Sequence, residues 1–324
     1  MPEKHTVIID TDPGIDDAMA LLYLHASPSI EIAAITTVFG NAGVDVTTRN
    51  ACYLAARFGI DAPIFAGAEK PLQGRPLDFP VHVHGANGLG GIVVPDELSR
   101  AAAPGAAHER IVEIIRKSPG CITVLTVGPL TNLALALRQD PGIAQLVRKV
   151  VVMGGAFGWG ARRGNVSPVA EANVRCDPQA ADEVFTAAWP LTVVGLDVTM
   201  QCIFDTEAAR ALAKNGGKAG QFLWDISRDY EAMYFKYDGI RGCCLHDVAA
   251  AICVVEPELF TTVNGPIRVV TQGIAIGQTI QRPPGLQFPP GAWDNVPEHA
   301  ACRDVDAGKL LDIYVRTLRG AASS

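Results

Sequence analysis

Short apolar runs alternate with amphipathic patterns through the first two-thirds of the chain. The runs are rich in β-branched residues and have the length of buried strands, and the segments between them repeat apolar side chains at helical intervals. This alternation predicts a mainly parallel sheet with helices on both faces. The predicted strands cover residues 7–9, 30–38, 63–66, 122–127, 150–153 and 191–196, and the predicted helices include 47–58, 109–116, 131–138 and 180–188.

The last third of the chain has a different pattern. It predicts a helical stretch over 206–234, an antiparallel hairpin formed by 267–270 and 274–280, and a closing helix over 306–318. No linker or change of composition divides the chain, so we expect one α/β domain spanning residues 1–324. Two Gly/Pro-rich stretches, 67–95 and 154–168, are long enough to be active-site loops.

Composition narrows the classes of function. The chain has 324 residues, of which 48% are hydrophobic and 19% charged, and this suits a folded protein with a large core. The formal net charge is −7 with no basic run, so nucleic acid is not an expected partner. No apolar run reaches the roughly 18 residues of a membrane span, and no secretory signal opens the sequence. We therefore expect a cytoplasmic protein that does not bind membranes, with reduced, mostly structural cysteines.

Four carboxylates crowd the junction after the first predicted strand. Residues 10–18 are Asp-Thr-Asp-Pro-Gly-Ile-Asp-Asp-Ala, which indicates a strand, a turn and the start of a helix. Such close like charges raise one another's pKa values and destabilise the fold unless a cation offsets them. Oxygen ligands without Cys or His favour Ca²⁺ or Mg²⁺. The alternative is an ordinary capped helix start, with one Asp as N-cap and the others solvated.

Polar or glycine-rich positions also follow other predicted strands. Asn41, Gly128, Gly154 and Asp197 each come directly after or close to the end of such a run. In open α/β sheets, ligands bind at the carboxyl edge of the strands. These positions therefore predict a single composite site.

The motifs occur in the order found in a known family. Residues 10–18 resemble the signature of the nucleoside hydrolases, the inosine–uridine-preferring ribohydrolase family, and the order and approximate spacing hold from residue 7 to about 255. Further resembling blocks are TTVFGN at 36–41, HGANGLGG at 84–91, GPLTNLA at 128–134, MGGA at 153–156, GNVSPVAEAN at 164–173 and His246-Asp247.

The resemblance implies a single α/β domain with a mostly parallel sheet, and Ca²⁺-dependent hydrolysis of ribonucleosides to base and ribose. By this resemblance Asp12 would be both a Ca²⁺ ligand and the general base for the attacking water. Asp17, Asp247 and the carbonyl of Val127 would complete the protein ligands, and His246 would protonate the leaving base. Breaking the N-glycosidic bond builds positive charge on the ribose, which a carboxylate-rich pocket stabilises.

The resemblance also assigns the substrate contacts. Asp16, Asn41 and Asn173 would hold the 2′- and 3′-hydroxyls. Asn165 and Glu171 would bind the 5′-hydroxyl. Met153 would lie against the sugar, and His84 would border the base. The family further implies a homodimer or homotetramer.

Some positions stay open. Ala172 stands where an aromatic residue is expected, and Val248 stands where proline is common. Whether Trp159 and three tyrosines at 230, 234 and 237 contact the base is undecided, and so is the preference for pyrimidine or purine.

Two other functions compete with hydrolysis of nucleosides. One is non-catalytic nucleoside or ribose binding on the same fold. The other, prompted by Asp10-Thr11-Asp12, is Mg²⁺-dependent phosphate hydrolysis, although no basic residue accompanies that motif.

Overall fold

The computed structural model of the chain describes residues 4–160 and 162–322 and contains one large sheet flanked by helices. The strands are β1 (His5–Thr11), β2 (Ile30–Thr37), β3 (Ile64–Ala66), β4 (Ile122–Thr126), β5 (Lys149–Met153), β6 (Leu191–Val194), β7 (Ile203–Asp205), β8 (Gly242–Cys244), β9 (Phe260–Val269), β10 (Thr279–Gln281) and β11 (Glu298–Val305).

Helices occupy most of the segments between the strands. They are α1 (Ile15–Ala26), α2 (Val44–Phe58), α3 (Val81–His84), α4 (Ala107–Lys117), α5 (Thr131–Gln139), α6 (Ala172–Cys176), α7 (Pro178–Phe185), α8 (Leu196–Thr199), α9 (Thr206–Asn215), α10 (Gly217–Asp238), α11 (His246–Val255) and α12 (Ala307–Ala321), with short 3₁₀ helices at Pro141–Gln145 and Pro257–Leu259. None of the helices in the described ranges is long and apolar enough to cross a membrane.

The main sheet has the strand order β10-β9-β11-β6-β5-β4-β1-β2-β3 among the described residues. Pairing is parallel from β11 to β3, whereas β9 and β10 join the other edge in antiparallel fashion. The sequence-based prediction of a mostly parallel α/β fold with antiparallel strands near the C-terminus is therefore confirmed. A small antiparallel sheet of β7 and β8 lies apart from it.

The sheet separates two hydrophobic cores, because its central strands are buried on both faces. In β1, Val7 and Ile9 belong to the core shared with α1, α2, α10, α11 and α12. Ile8, which points the other way, belongs to the core shared with α4, α5 and α7. This two-sided burial explains why β1 is a continuous apolar run rather than an alternating one.

Several predicted boundaries differ from the structure. The first hairpin strand, predicted over 267–270, is β9 and begins at Phe260, and the second is confined to β10. Ile274 lies in the turn between them and is fully exposed. The helical stretch predicted over 206–234 is two helices, α9 and α10, since Gly217 has a φ of +57° that interrupts helical geometry. The closing helix is α12, capped by the side chain of Asp306.

Candidate active site

A cavity of about 510 Å³ opens at the carboxyl edge of the parallel strands. Its walls come from residues far apart in the chain, including the ends of β4 and β5, the first turns of α1 and α11, and helix α10. Ten of the residues singled out from the sequence line it: Asp16, Asn41, His84, Val127, Met153, Asn165, Glu171, Asn173, His246 and Asp247. Asp12 and Asp17 are buried behind this wall and reach it through hydrogen bonds to Asn41.

A group of buried carboxylates lies at the bottom of the cavity. Asp16 and Asp17 in the first turn of α1 and Asp247 in the first turn of α11 each offer an oxygen within 4.8 Å of the others. The packing of α1 against α11 therefore joins acids more than 200 positions apart in the sequence. Asp12 is not part of this closest group, whereas Asp16, to which the resemblance gives a sugar contact, is a member.

Asp17 is fixed by four donors. Its carboxylate accepts hydrogen bonds from Thr11 Oγ1 at 2.5 Å and Gly14 N at 2.9 Å. Asn41 Nδ2 at 3.0 Å and Asp12 N at 3.2 Å complete the set. The turn through residues 12–14 is thus wrapped around one carboxylate, which holds its oxygens in a single orientation.

Asp12 is fully buried and has one oxygen held and one oxygen free. Oδ2 accepts from Asn41 N at 2.7 Å, whereas no donor among the described residues reaches Oδ1. Two glycines make room for this carboxylate, because a Cβ at Gly40 or Gly128 would lie 2.0 or 2.6 Å from its oxygens. The glycines in the motifs at 36–41 and 128–134 are therefore required by the position of Asp12.

The electrostatics of this group are unfavourable without a cation. Burial, reinforced by the neighbouring Asp17, raises the pKa of Asp12 well above its usual range. Burial likewise raises the pKa of Asp16 and Asp17 to about 6, and it raises that of Asp247 together with the charge of Asp16. Asp12 Oδ1, Asp16 Oδ1 and Asp247 Oδ2 are buried without a donor in the described part of the chain. Unpaired buried carboxylate oxygens are costly, and an all-oxygen donor set fits a hard divalent cation such as Ca²⁺.

His84 lies above the turn at Gly14. Its Nδ1 accepts a hydrogen bond from Ile15 N at 3.2 Å, and burial lowers its pKa to about 4. The ring is therefore neutral at pH 7 and carries its proton on Nε2, which makes it a hydrogen-bond donor to a ligand in the cavity. A Cβ at Gly14 would lie 2.7 Å from Nδ1, so this close approach requires glycine.

His246 is held on both ring nitrogens by hydroxyl groups. Tyr234 Oη lies 2.6 Å from Nε2 and Thr199 Oγ1 lies 2.7 Å from Nδ1. Burial lowers the pKa of His246 to about 4, which differs from the near-neutral value expected of a proton donor. Tyr230 extends the chain of contacts, at 3.4 Å from Tyr234 Oη and 3.5 Å from Asp16 Oδ2.

The structure places each of the residues whose role the sequence left open. Tyr230 and Tyr234 belong to the site through His246, and Tyr237 lies at the mouth of the cavity with 61% of its surface exposed. Trp159 instead stacks on Phe157 with ring centroids 5.0 Å apart, outside the cavity lining. Ala172 is part of the cavity wall, and Val248 is buried within α11.

Glu171 caps α6 and also holds the turn that follows β5. As the N-cap of α6 it accepts from Asn173 N at 2.8 Å and Val174 N at 3.1 Å, and it also accepts from Gly155 N at 2.9 Å. Asn173 Nδ2 in turn donates to the carbonyl of Val127 at 2.9 Å. The side chains assigned to the sugar are thus tied to the ends of β4 and β5.

Asp197, which the sequence predicts to belong to the composite site, lies outside the cavity lining. Its carboxylate holds the loop after β5, accepting from the backbone N–H groups of Phe157 and Trp159, each at 2.7 Å. Sequence reasoning missed the ion pair of Arg162 and Asp238 at the cavity wall, which carried no recognisable motif.

The structure does not favour the phosphate-hydrolysing alternative. Asp10 does not face the cavity but is buried against the neighbouring strand, accepting from Thr36 Oγ1 at 2.6 Å and Asn132 Nδ2 at 2.8 Å. Among the described residues, Arg162 is the one Lys or Arg side chain of the cavity wall, and Asp238 pairs with it. A phosphate group would meet carboxylates rather than cations there.

Residues 7–312 match the family model described as "Inosine-uridine preferring nucleoside hydrolase". The chain belongs to this family. It is 44% identical over 282 residues to uridine nucleosidase 1 of Arabidopsis thaliana, with 86% of this chain and 82% of the relative covered. These matches confirm the resemblance found in the sequence and identify the protein as an enzyme, an N-ribosylhydrolase.

Solved structures of nucleoside hydrolases superpose over nearly the whole chain. A plant nucleoside hydrolase has a TM-score of 0.92 at 34% identity, covering 97% of this chain and 98% of its own. A purine-preferring ribonucleoside hydrolase from Gardnerella vaginalis has a TM-score of 0.90 at 30% identity, covering 98% and 99%. Family membership thus supports hydrolysis of the N-glycosidic bond of ribonucleosides, and the acid cluster could hold a metal ion.

Proposed function

We propose that this nucleoside hydrolase is Ca²⁺-dependent and releases the free base and ribose from ribonucleosides with a pyrimidine base, a purine base or both. The observation that carries the proposal is that Asp12, Asp16 and Asp247 each have one buried carboxylate oxygen that no donor among the described residues reaches. Asp12, Asp17, Asp247 and the carbonyl of Val127 would hold the ion. When bound, Ca²⁺ would orient the ribose hydroxyls and lower the pKa of the attacking water.

The remaining chemistry belongs to the side chains of the cavity. Asp12 takes a proton from water as the oxygen attacks the anomeric carbon, and the electron pair of the C–N bond passes to the base. Attack from the face opposite the base inverts the configuration at that carbon. Asp16, Asn41 and Asn173 hold the 2′- and 3′-hydroxyls, and the surrounding carboxylates stabilise the positive charge of the transition state.

His84 and His246 both line the cavity, which supports their proposed role beside the leaving base. His246 passes a ring proton to the departing base and takes one from Tyr234 Oη, 2.6 Å from Nε2, and solvent entering the cavity returns a proton to Tyr234, so that both side chains end the step neutral. Asn165 and Glu171 bind the 5′-hydroxyl, and Met153 packs against the sugar. Because the pocket presents carboxylates at these positions, it suits a neutral nucleoside better than a phosphorylated one.

A panel of ribonucleosides tests the proposal. Uridine, cytidine, inosine and adenosine are assayed for base release, with calcium and with a chelator. Release is expected with calcium and is expected to be lost with the chelator. Binding of these ligands by calorimetry without any base release would instead favour the nucleoside-binding alternative.

Replacing Asp12 tests the assigned base. Asp12→Ala is expected to lower kcat by at least about 10²-fold, because it removes the general base. Asp45→Ala, which removes an exposed acid from the first turn of α2, is the control and should retain activity. Full activity of a folded Asp12→Ala protein would contradict the mechanism.

A homodimer or homotetramer and a cytoplasmic location remain part of the proposal. Analytical ultracentrifugation of the purified chain measures the first, and cell fractionation measures the second.

A further inference from the structure

Asn50 is a fully buried side chain of α2 that joins two loops of the site. Its Nδ2 donates to the carbonyl of Pro13 at 3.0 Å and to the carbonyl of Asn87 at 2.8 Å. Pro13 lies within the turn between Asp12 and Asp16, and Asn87 lies three residues after His84. One amide group therefore bridges the carboxylate turn and the loop that carries His84.

The bridge adds to a direct hydrogen bond between these loops, the one from Ile15 N to His84 Nδ1 at 3.2 Å. Two contacts fix the loop more firmly than one, because a single hydrogen bond leaves it able to pivot. The position of the His84 ring over the turn thus depends on Asn50 as well as on its own nitrogen.

Gly88 lies close to the side-chain amide of Asn50. A Cβ at Gly88 would lie 2.8 Å from Asn50 Nδ2 and 3.3 Å from the carbonyl of Pro13, and Gly88 has a φ of +79°. Gly91, in the same loop, has a φ of +75°, yet a Cβ there would meet nothing within 4 Å. The two glycines share their backbone conformation and differ in whether a side chain would displace Asn50.

We propose that Asn50 is a positioning residue for the reaction, which holds the His84 loop on the turn from Asp12 to Asp17. Asparagine suits this place because one NH₂ group donates to two carbonyls at once. Its Oδ1 is buried without a donor among the described residues, so the amide is retained for its two donated bonds despite an unpaired oxygen. Asn50 acts through the loop and makes no contact with the reacting atoms.

Asn50→Asp tests the donor role with almost no change of shape. An oxygen then faces two carbonyl oxygens, and the loop is repelled rather than held. For hydrolysis of uridine we expect KM to rise about tenfold with a smaller change in kcat, because His84 borders the substrate rather than the bond that breaks. Arg49→Met is the control, since Arg49 bonds the same loop farther along, at the carbonyl of Val94.

Gly88→Ala and Gly91→Ala give a test that leaves Asn50 in place. Both add a Cβ to a left-handed residue and therefore bring similar backbone strain. Only Gly88→Ala is expected to raise KM, since only it pushes the loop away from the amide. Equal KM values for the two alanine variants, or an unchanged KM in folded Asn50→Asp, would overturn the proposal.

Hydrogen–deuterium exchange supplies a readout that does not depend on activity. In calcium-free protein, Asn50→Asp and Gly88→Ala should speed exchange in peptides covering residues 84–95 and at the Ile15 amide, whereas Gly91→Ala should leave the Ile15 amide protected. The predicted changes in KM rest on the proposed function, because they require that the protein hydrolyses uridine. A wild-type protein that cleaves no nucleoside would refute that function, and the exchange comparison would still decide the role of Asn50.

Discussion

At the scale of single residues, hydrogen-bond partners separate side chains that look alike in the sequence. Asp10 and Asp12 stand two positions apart, and each keeps one buried oxygen without a donor among the described residues. Asp10 lies within β1, where its other oxygen accepts from Thr36 on β2 and Asn132 on α5. Asp12 lies past the end of β1 and accepts from the backbone of Asn41, which lines the cavity. The motif predicts an acidic junction, but only the position in the fold shows which acid is available for chemistry.

Tyr234 provides a residue-scale prediction. Tyr234→Phe removes the hydroxyl on His246 Nε2, and we expect kcat for base release to fall about tenfold while KM changes little. Tyr53→Phe is the matched control, because it also deletes a hydroxyl that is hydrogen-bonded, there to Arg57 on α2. If both variants kept the wild-type kcat, Tyr234 would have no part in proton transfer.

At the scale of elements, several acidic side chains of the site lie at the N-termini of helices. Asp16, Asp17 and Asp247 occupy first turns of α1 and α11, where the helix N-terminus stabilises negative charge. Glu171 uses its carboxylate to cap α6 and to hold the turn at Gly155. Local helix geometry therefore aims several acids at one cavity.

The cap of α6 provides an element-scale prediction. Glu171→Gln replaces a carboxylate that accepts three backbone hydrogen bonds in a buried place, so we expect the free energy of unfolding to fall by about 1–3 kcal/mol. Asp205→Asn, at the exposed N-cap of α9, is the comparison and should cost less, because the amide oxygen of Asn still accepts the single bond from Ala208 N. Urea denaturation measures both. Equal losses would show that burial of the Glu171 cap has no energetic effect.

At the scale of the whole molecule, the sheet brings together acids that repel one another. In the absence of a cation, burial first and then this repulsion raise the pKa values of Asp12 and Asp247. The fold therefore stores an electrostatic cost at the cavity that a bound divalent ion would remove.

This cost predicts that Asp247→Asn has a higher Tm than the wild type in chelator and a lower Tm in calcium. Calcium at 100 times its Kd should stabilise the wild-type protein by about 2.7 kcal/mol. Asp247→Asn should raise Tm by roughly 3 °C in chelator, since it removes one of the crowded charges, but should abolish most of the gain from calcium. Asp45→Asn is the control and should behave like the wild type. A wild-type Tm that does not respond to calcium would contradict a calcium site.

The sequence by itself determined the α/β class, the family and ten residues of the cavity wall, because strand periodicity, turn chemistry and ordered motifs are local properties of the chain. It could not determine the boundary at Ile274 or the division between α9 and α10, where side-chain burial and one glycine dihedral decide the outcome. Nor could it identify the hydrogen bonds of Asp197, the bridge made by Asn50 or the pairing of Tyr234 with His246. These depend on distances between segments far apart in the chain, and only the packing of α1, α2, α10 and α11 around the sheet sets those distances.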